Sequence, residues 1–338
     1  MTSHLARAAT LTAADYWTAT AFEHEQRAAL ARAWTPVCRA DEVEGAGAQK
    51  PVLVAGQPVL LTRGGDGALG AISNVCRHRG MTLVEAAERA EAIRCPYHLW
   101  TYGLDGRLAA APFMGDADLA GCDLPRYAAG EWGGWVFVSL ASEPGSLANS
   151  LAPLPEALDE RRLASLRVGY RLAFDHAWNW KVMVENFGES YHHIGTHADT
   201  LQQLWPGGRT DASSSGAGFI DLRHPQHPEA GSLHVYVVFP LFLLALTDVG
   251  ESVVWYRLTP LAAERIGLEI IGLYPPELAA DAARMERDRA QLLAIHLEDI
   301  AACERVQAGL RAPDAVLGPL SPLEAGVARF REWVSSGR

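Results

Sequence analysis

Two of the five cysteines of this 338-residue chain lie beside histidines, in the segment NVCRHRGMTLVEAAERAEAIRCPYHLW at 74–100. Cys76 and His78 form one pair and Cys95 and His98 form the other, which gives the pattern C-x-H-x16-C-x2-H. Two thiolates and two imidazoles can bind zinc tetrahedrally. They also match a [2Fe–2S] cluster with both cysteines on one iron and both histidines on the other. Because each segment supplies one ligand of each type, the pattern favours the cluster over zinc.

The other three cysteines have no histidine or cysteine at ligand spacing, and we expect them to pack as small apolar side chains. They are Cys38, Cys122 and Cys303. An odd number of cysteines predicts a reducing cytoplasm rather than a disulfide framework. The first residues lack the apolar core of a signal peptide. The net charge of −11 argues against nucleic-acid binding.

The texture of the sequence changes several times along the chain. Residues 235–246 form its longest apolar run, which is too short to cross a membrane and predicts one or two buried strands. Apolar periodicity, turn residues and composition divide the rest of the chain into predicted helices, strands and a linker. They predict a helix at 12–34, short strands from about 51 to 140, a linker at 142–158, a helix near 178–194, strands at 218–273 and a long helix at about 277–310.

A second group of candidate ligands lies in WNWKVMVENFGESYHHIGTHADT at 178–200: Glu185, Glu189, His192, His193 and His197. A regular helix from residue 178 would place the first four on related faces. His193 and His197 have the i,i+4 spacing of helical metal sites. His192 and His197 are five residues apart and require a helix irregularity, which a glycine between them could supply. Spacing alone favours His193 with His197 if the helix is regular.

A carboxylate to complete this site is expected from the helix LLAIHLEDIAACERVQAGL at 292–310. Asp299 falls on an otherwise mainly apolar stripe, and a buried aspartate is costly unless it is paired or bound to metal. Glu304 and His296 are the alternatives. The stripe consists of Leu292, His296, Asp299, Cys303, Val306 and Leu310.

Several segments resemble those of Rieske non-haem iron oxygenase α subunits. CRHRG at 76–80, CPYHLWTYGLDGRL at 95–108 and GGWVFVSL at 133–140 are similar to Rieske domains. NWKVMVENFGESYHHIGTH at 179–197 is similar to the family's iron-binding segment, with its pattern (D/E)-x2-H-x4-H, and residues 298–310 are similar to its third-ligand segment. Glu189 stands where many members have Asp, and a glutamate there is shared with the branch of carnitine, betaine and choline oxygenases.

The resemblance assigns roles to the candidate residues. It implies a [2Fe–2S] cluster held by Cys76, His78, Cys95 and His98, and a mononuclear Fe(II) held by His192, His197 and Asp299. Two histidines and one carboxylate form the facial triad of such sites, which leaves open positions on the iron. His193 becomes a neighbour of the site rather than a ligand. Glu189 is expected to connect the two metal centres, and Asn186 to lie close to the iron.

The resemblance also implies an α+β fold. An N-terminal helical segment (1–40) is expected to pack with the catalytic domain. An all-β Rieske domain (41–145) follows, and then an α+β catalytic domain (146–338) in which helices flank an antiparallel sheet. No β subunit is encoded by this chain, so the resemblance implies a homotrimer in which the cluster of one chain serves the iron of its neighbour.

The function implied is that of a terminal oxygenase. A separate NAD(P)H-dependent reductase, with or without a ferredoxin, is expected to supply electrons, since the chain has no G-x-G-x-x-G after a strand. O2 and a small organic substrate are the other partners, and no nucleic acid or membrane is expected. A non-catalytic electron carrier and a zinc-binding interaction protein are the alternatives.

The substrate is not specified by the sequence. A quaternary ammonium compound would need an aromatic cage, and an aromatic ring would need a hydrophobic pocket. The family branch favours the first. Residues 201–257 are expected to supply the pocket walls, and their aromatic residues are Trp205, Phe219, Tyr236, Phe239, Phe242, Trp255 and Tyr256.

Overall fold

The computed structural model describes residues 11–337 except 153, 155–157, 159, 214, 217 and 248–250. The chain divides into two compact units. One unit comprises Leu30–Leu147, and the other combines the residues up to Ala29 with those from Ala148 onwards.

The unit Leu30–Leu147 is built from short antiparallel strands. They are β1 (Thr35–Arg39), β2 (Ala48–Val54), β3 (Gln57–Arg63), β4 (Leu69–Ser73), β5 (Glu88–Arg89), β6 (Ala92–Arg94), β7 (Thr101–Gly103), β8 (Leu108–Ala110), β9 (Arg126–Trp132) and β10 (Trp135–Ser139). One sheet has the order β1-β10-β9-β4-β3-β2-β5, and a smaller sheet has the order β6-β7-β8. The expectation of an all-β region between about 51 and 140 is confirmed.

The apolar runs of this unit explain its core. Val59, Leu60 and Leu61 in β3 are fully buried, and so is the β10 run 135–139. Strands with continuous apolar sequence are those covered on both faces. Cys76 lies three residues after β4 and Cys95 directly follows β6, so both cysteine–histidine segments begin where a strand has ended.

The second unit contains one antiparallel sheet with the order β11-β16-β15-β14-β13-β12. Its strands are β11 (Arg167–His176), β12 (Phe219–Arg223), β13 (Leu233–Val238), β14 (Phe242–Thr247), β15 (Val253–Ala262) and β16 (Arg265–Tyr274). The apolar run at 235–246 therefore forms parts of two paired strands, as predicted. The mixture of helices with antiparallel sheets confirms the α+β class.

Helices pack on this sheet. Helix α7 contacts β11 and α4, and α8 contacts β12. The helices are α1 (Ala19–Glu25), α2 (Leu147–Leu151), α3 (Glu160–Ser165), α4 (Trp180–Phe187), α5 (Leu201–Leu204), α6 (Pro276–Ala279), α7 (Ala282–Leu310) and α8 (Ala325–Ser336). The 3₁₀-helices are Ala13–Tyr16, Ala40–Val43, Tyr191–Ile194, Gly207–Arg209 and Pro322–Glu324, and Gln26–Leu30 is a π-helix. No helix of the described residues has the length and apolar character to cross a membrane.

Two of the predicted helices are wrong in extent. The continuous helix expected at 12–34 is instead a 3₁₀-helix, α1 and a π-helix in succession, followed by β1. The helix expected at 178–194 ends at Phe187, before any of the candidate histidines. A Cβ at Gly188 would lie 2.7 Å from Ile220 Cδ1 and 2.9 Å from the Val184 carbonyl oxygen, so the chain turns where only glycine fits.

Candidate metal centres

Three predicted ligands meet at the end of α4. His192 lies in the 3₁₀-helix Tyr191–Ile194, His197 lies in the turns after it, and Asp299 lies on α7. One ligand atom from each lies within 4.8 Å of the others. His197 Nε2 is 3.0 Å from Asp299 Oδ1, and His192 Nε2 is 3.7 Å from the same oxygen. Two imidazole nitrogens and a carboxylate oxygen that converge in this way fit a divalent transition metal with open positions.

A carboxylate lies within hydrogen-bond distance of the Nδ1 atom of each of these two histidines. His192 Nδ1 lies 2.7 Å from Glu189 Oε1, and His197 Nδ1 lies 2.6 Å from Glu298 Oε2. A carboxylate on Nδ1 fixes the ring so that Nε2 is presented to the metal. Glu298 also accepts a hydrogen bond from the Thr200 hydroxyl, at 2.7 Å. The role of Glu298 was missed in the sequence, although its place next to Asp299 on α7 is a usable signal.

Asp299 is held in its ionised form. Burial alone would raise the pKa of its carboxyl, but the hydrogen bond from His197 and the charges of His192 and His197 lower it overall. The Asn186 amide donates a hydrogen bond to Asp299 Oδ1 at 3.1 Å. Asn186 therefore lies at the site, and it reaches Asp299 from the last turn of α4.

His193 does not belong to this group of ligand atoms. Its Nδ1 lies 2.9 Å from the Trp205 carbonyl oxygen, and its ring stacks on that of His224 with centroids 5.5 Å apart. Burial lowers the pKa of His193 to about 3, so the ring is neutral at physiological pH. Non-local contacts, not helical periodicity, thus select which histidine faces Asp299. The helix irregularity required by His192 and His197 is present.

The alternatives to Asp299 lie elsewhere on α7. Glu304 is exposed to solvent. His296 is fully buried, and its Nε2 lies 3.0 Å from His176 Nε2. Neither belongs to the group that His192, His197 and Asp299 form among the described residues.

The second candidate centre lies within the unit Leu30–Leu147, where two loops have matching backbone structure. The amide of Cys76 donates to the Met81 carbonyl, and the amide of Cys95 donates to the Trp100 carbonyl, both at 2.8 Å. In each loop the residue four positions after the cysteine donates back to the cysteine carbonyl and has a positive φ. These residues are Gly80 (φ 73°) and Leu99 (φ 61°).

The side chains of these loops fit an iron–sulfur cluster. Cys76 and Cys95 are buried free thiols, and the rings of His78 and His98 lie with centroids 4.7 Å apart. The Nδ1 atoms of both histidines are buried and have no hydrogen-bond partner among the described residues. Buried polar atoms normally have a partner, so two orphaned nitrogens in the loops that carry two buried thiols are consistent with metal ligation.

The other cysteines pack as predicted or lie at the edge of the core. Cys38 is fully buried in the core of the β unit. Cys303 is buried on α7, and Cys122 is half-buried against the core that surrounds Cys76 and Cys95.

A cavity of about 360 Å³ opens beside His192, His197 and Asp299. Residues 201–257 supply part of its walls, as expected, and of their seven aromatic residues Trp205 and Tyr256 line it. The other five do not, because most of them are core residues of the sheet. Phe187, Tyr170 and Tyr274 are aromatic wall residues that the sequence did not reveal. The aliphatic wall residues are Leu201, Leu204, Ala230, Leu233, Val235, Ala245, Val254, Leu292 and Ile295.

Two family models match the chain. Residues 163–336 match the ring hydroxylating alpha subunit (catalytic domain), and residues 33–128 match the Rieske [2Fe-2S] domain. The chain therefore belongs to the family of ring-hydroxylating oxygenase α subunits. In this family the Rieske domain binds a [2Fe–2S] cluster and the catalytic domain binds mononuclear iron, so both cofactors expected from the sequence are confirmed.

Curated proteins with similar sequences include the oxygenase subunits of two monooxygenases. The glycine betaine monooxygenase oxygenase subunit of Chromohalobacter salexigens is 35% identical over 204 residues, which are 60% of this chain and 44% of that protein. The carnitine monooxygenase oxygenase subunit of Acinetobacter pittii is 31% identical over 196 residues, 55% of this chain and 53% of that protein. The chain thus spans about half the length of the curated relatives it matches.

Solved structures agree on the fold. A quaternary ammonium Rieske monooxygenase in complex with L-carnitine has a TM-score of 0.83 at 24% identity, covering 97% of this chain and 95% of that chain. Naphthalene 1,2-dioxygenase with bound indole has a TM-score of 0.78 at 20% identity, covering 97% and 92%. At these identities the likeness concerns the fold alone.

Proposed function

We propose that the chain is the terminal oxygenase component of a Rieske non-haem iron system. The observation that carries the proposal is the convergence of His192, His197 and Asp299 on one side of a largely apolar cavity. His192, His197 and Asp299 would hold the mononuclear iron, and Cys76, His78, Cys95 and His98 would hold the cluster. When bound, the two groups supply one-electron transfer and O2 activation.

The side chains around the iron site orient the ligands. The carboxylates of Glu189 and Glu298 hold the rings of His192 and His197 with Nε2 toward Asp299. The Asn186 amide fixes the orientation of Asp299. The apolar walls of the cavity exclude bulk water from the reacting carbon of the substrate, which limits side reactions. The product would be a hydroxylated or oxidatively dealkylated small organic molecule.

Electrons must come from another protein in this proposal. The sequence carries no dinucleotide fingerprint, so we propose an NAD(P)H-dependent reductase, alone or with a ferredoxin, as the partner. Free buried cysteines in the described residues support a reducing cytoplasm as the location. We also propose three parts, an N-terminal segment, a Rieske domain and a catalytic domain (146–338). The expected bound between 1–40 and 41–145 moves to the start of the compact unit at Leu30, because β1 pairs with β10.

A homotrimer completes the proposal. Glu189 is half-buried, and its neighbours Tyr191 and Ile194 are large apolar residues with 46% and 50% of their surface exposed. Exposed apolar side chains beside a carboxylate that supports a metal ligand are suited to contact with a second chain. In this arrangement the cluster of one chain serves the iron of the next through Glu189.

The substrate class that we propose is a quaternary ammonium compound. The names of the related monooxygenases refer to glycine betaine and carnitine, and one of the similar structures is that of a quaternary ammonium monooxygenase. Phe187, Trp205 and Tyr256 add aromatic rings to the cavity wall, and aromatic rings attract cations. An aromatic ring is the second candidate, because nine aliphatic side chains also line the cavity.

Metal analysis and spectroscopy test the proposal. Two cluster irons and one mononuclear iron per chain, with a Rieske electron paramagnetic resonance (EPR) signal after anaerobic reduction, are the expected result. Asp299→Ala should remove the mononuclear iron and oxygenation but keep the Rieske signal. Zinc in place of iron would support the interaction protein, and a Rieske signal without mononuclear iron would support the electron carrier.

A further inference from the structure

The cavity has a polar end that the proposed oxygen chemistry does not use. Helix α7 forms one wall between residues 284 and 299, because Arg284, Asp288, Leu292, Ile295 and Asp299 recur at intervals of three or four positions. Asp299 lies at one end of this face, and Asp288 and Arg284 lie toward the other. At 1.5 Å per residue, the backbone positions of Asp288 and Asp299 are separated by ~16 Å along the helix axis.

The polar end is organised around Asp288. The Tyr274 hydroxyl donates a hydrogen bond to Asp288 Oδ2 at 3.0 Å. Arg284 Nε lies 3.5 Å from the same oxygen, and the guanidinium carbon lies 5.9 Å from the centre of the Tyr274 ring. Asp288 therefore contacts both the Tyr274 hydroxyl and the Arg284 guanidinium, and it holds the guanidinium at the cavity wall. Gln291, which lines the same end, is exposed to solvent.

Small side chains on the sheet make room between the two ends. Val235, Ala245, Val254 and Gly272 lie opposite one another on neighbouring strands, and Tyr170 lies opposite Gly272. A side chain at position 272 would collide with the Tyr170 ring, so Gly272 leaves space for that ring in the cavity wall. The middle of the cavity is therefore apolar and is lined by small side chains, a shape that suits a hydrocarbon chain.

We propose that the substrate is an extended molecule whose terminal carboxylate binds Arg284 while its other end lies beside the metal ligands. A guanidinium matches a carboxylate in a bidentate geometry, and Gln291, Thr247 and Ser252 add polar side chains to the wall. A short betaine cannot reach both ends of a face that is ~16 Å long. This inference rests on the proposed function, since it adds a length and a head group to the substrate of that site.

Binding of a homologous series by isothermal titration calorimetry tests the inference on the whole protein. The probes are straight-chain carboxylates with a trimethylammonium group at the other end, from glycine betaine to chains of about ten methylenes, which approach the ~16 Å span. Affinity should increase with chain length. Arg284→Gln should weaken the long carboxylate about tenfold or more, because a charge-assisted hydrogen bond is lost.

Two controls isolate the carboxylate contact. One control probe is the long chain with an alcohol in place of its carboxylate. Arg284→Gln should not change the affinity of the protein for this alcohol. Arg289→Gln should not change the affinity of any probe, because Arg289 lies on the same helix but outside the cavity wall and pairs with Glu286 at 2.8 Å. Iron content and the Rieske signal are measured on the same preparation, so a failure of the proposed function is recognised separately from a failure to bind.

Several results would overturn the inference. They are tightest binding of glycine betaine, an equal effect of Arg284→Gln on the alcohol and the carboxylate, and no binding of any probe. A probe with trimethylammonium groups at both ends that binds more tightly than the carboxylate would assign the polar end to cations at Asp288 instead.

Discussion

At the scale of single residues, carboxylates determine how the two candidate histidine ligands are presented. Glu189 lies three residues before His192 and reaches its Nδ1, and it also accepts hydrogen bonds from the amides of Tyr191 and His192. Glu298 lies beside Asp299 in sequence but supports His197. On α7, Asp299 is therefore a proposed ligand, and the preceding residue, Glu298, orients a second proposed ligand, His197.

Glu298→Gln should weaken the binding of mononuclear iron by about 10- to 100-fold, because the outer partner of a metal-bound histidine is lost. Iron titration of the metal-depleted protein measures the affinity, and the Rieske signal should be unchanged. Glu304→Gln, an exposed position on the same helix, is the matched control. Equal iron affinity in both variants would show that Glu298 does not support the site.

The sequence identified some residues of the candidate site and left the assignment of others open. The cysteine–histidine pattern and the H-x4-H pattern are local, so spacing and resemblance identify their members. The choice between His192 and His193 depends on contacts with Trp205 and His224, which spacing does not encode. The walls of the cavity could not be assigned, because a buried aromatic in a strand has the same sequence pattern on either face of the sheet.

At the scale of secondary structure, α4 shows why a helix prediction failed locally while the fold prediction succeeded. A helix in this segment was predicted, and the structure shows that Asn179 caps it and that Trp180 is buried. The helix ends at Phe187, and a Cβ at the next residue, Gly188, would lie 2.7 Å from Ile220 Cδ1, a contact between distant parts of the sequence. The strands of the sheet, by contrast, are specified by apolar runs and turns along the chain itself.

The N-terminal segment is joined to α4 by a buried ion pair. Lys181 Nζ lies 2.8 Å from Glu25 Oε2 and donates to the Asp15 carbonyl at 2.9 Å, and both charged side chains are fully buried. The Trp180 indole donates to the same carboxylate at 3.0 Å. Breaking one partner of such a pair leaves a buried charge without its counter-charge.

Lys181→Met should therefore lower the unfolding free energy of this unit by about 3–5 kcal/mol. The double variant Lys181→Met/Glu25→Gln should recover part of the loss, because no unpaired charge remains and glutamine still accepts from Trp180. Urea unfolding measures both, with the exposed Arg27→Gln as the control, expected within about 0.5 kcal/mol of the parent. A single variant as stable as the control would contradict a structural role of the pair.

At the scale of the whole molecule, the two compact units are expected to carry separate metal centres. Cys76→Ser or His98→Ala should abolish the Rieske spectrum and leave the mononuclear site able to bind iron, because the proposed ligands of the two groups share no residue. Visible absorption, EPR and iron analysis of each variant test this. A retained Rieske signal in either variant would refute the ligand assignment.

The proposed trimer makes a prediction that joins the two centres. Glu189→Gln should keep the cluster, the iron at saturating concentration and the oligomer, but should lower turnover by about 10- to 100-fold. The physical reason is that the variant removes the negative charge of Glu189, which contacts His192 Nδ1. We propose that this carboxylate connects His192 with the cluster of the next chain. Steady-state turnover, EPR and light scattering follow these properties, and the exposed Asp199→Asn in the same segment is the control.

A mixed oligomer separates transfer between chains from transfer within one chain. A Cys76→Ser chain lacks a cluster and an Asp299→Ala chain lacks the mononuclear iron, so each alone should be inactive. If the cluster of one chain serves the iron of its neighbour, co-assembly of the two should restore a fraction of the activity, and adding Glu189→Gln to the Cys76→Ser chain should remove that fraction again. Full activity of a monomer, or no recovery in a mixed oligomer of the expected mass, would require transfer within one chain and would leave Glu189 with the orientation of His192 alone.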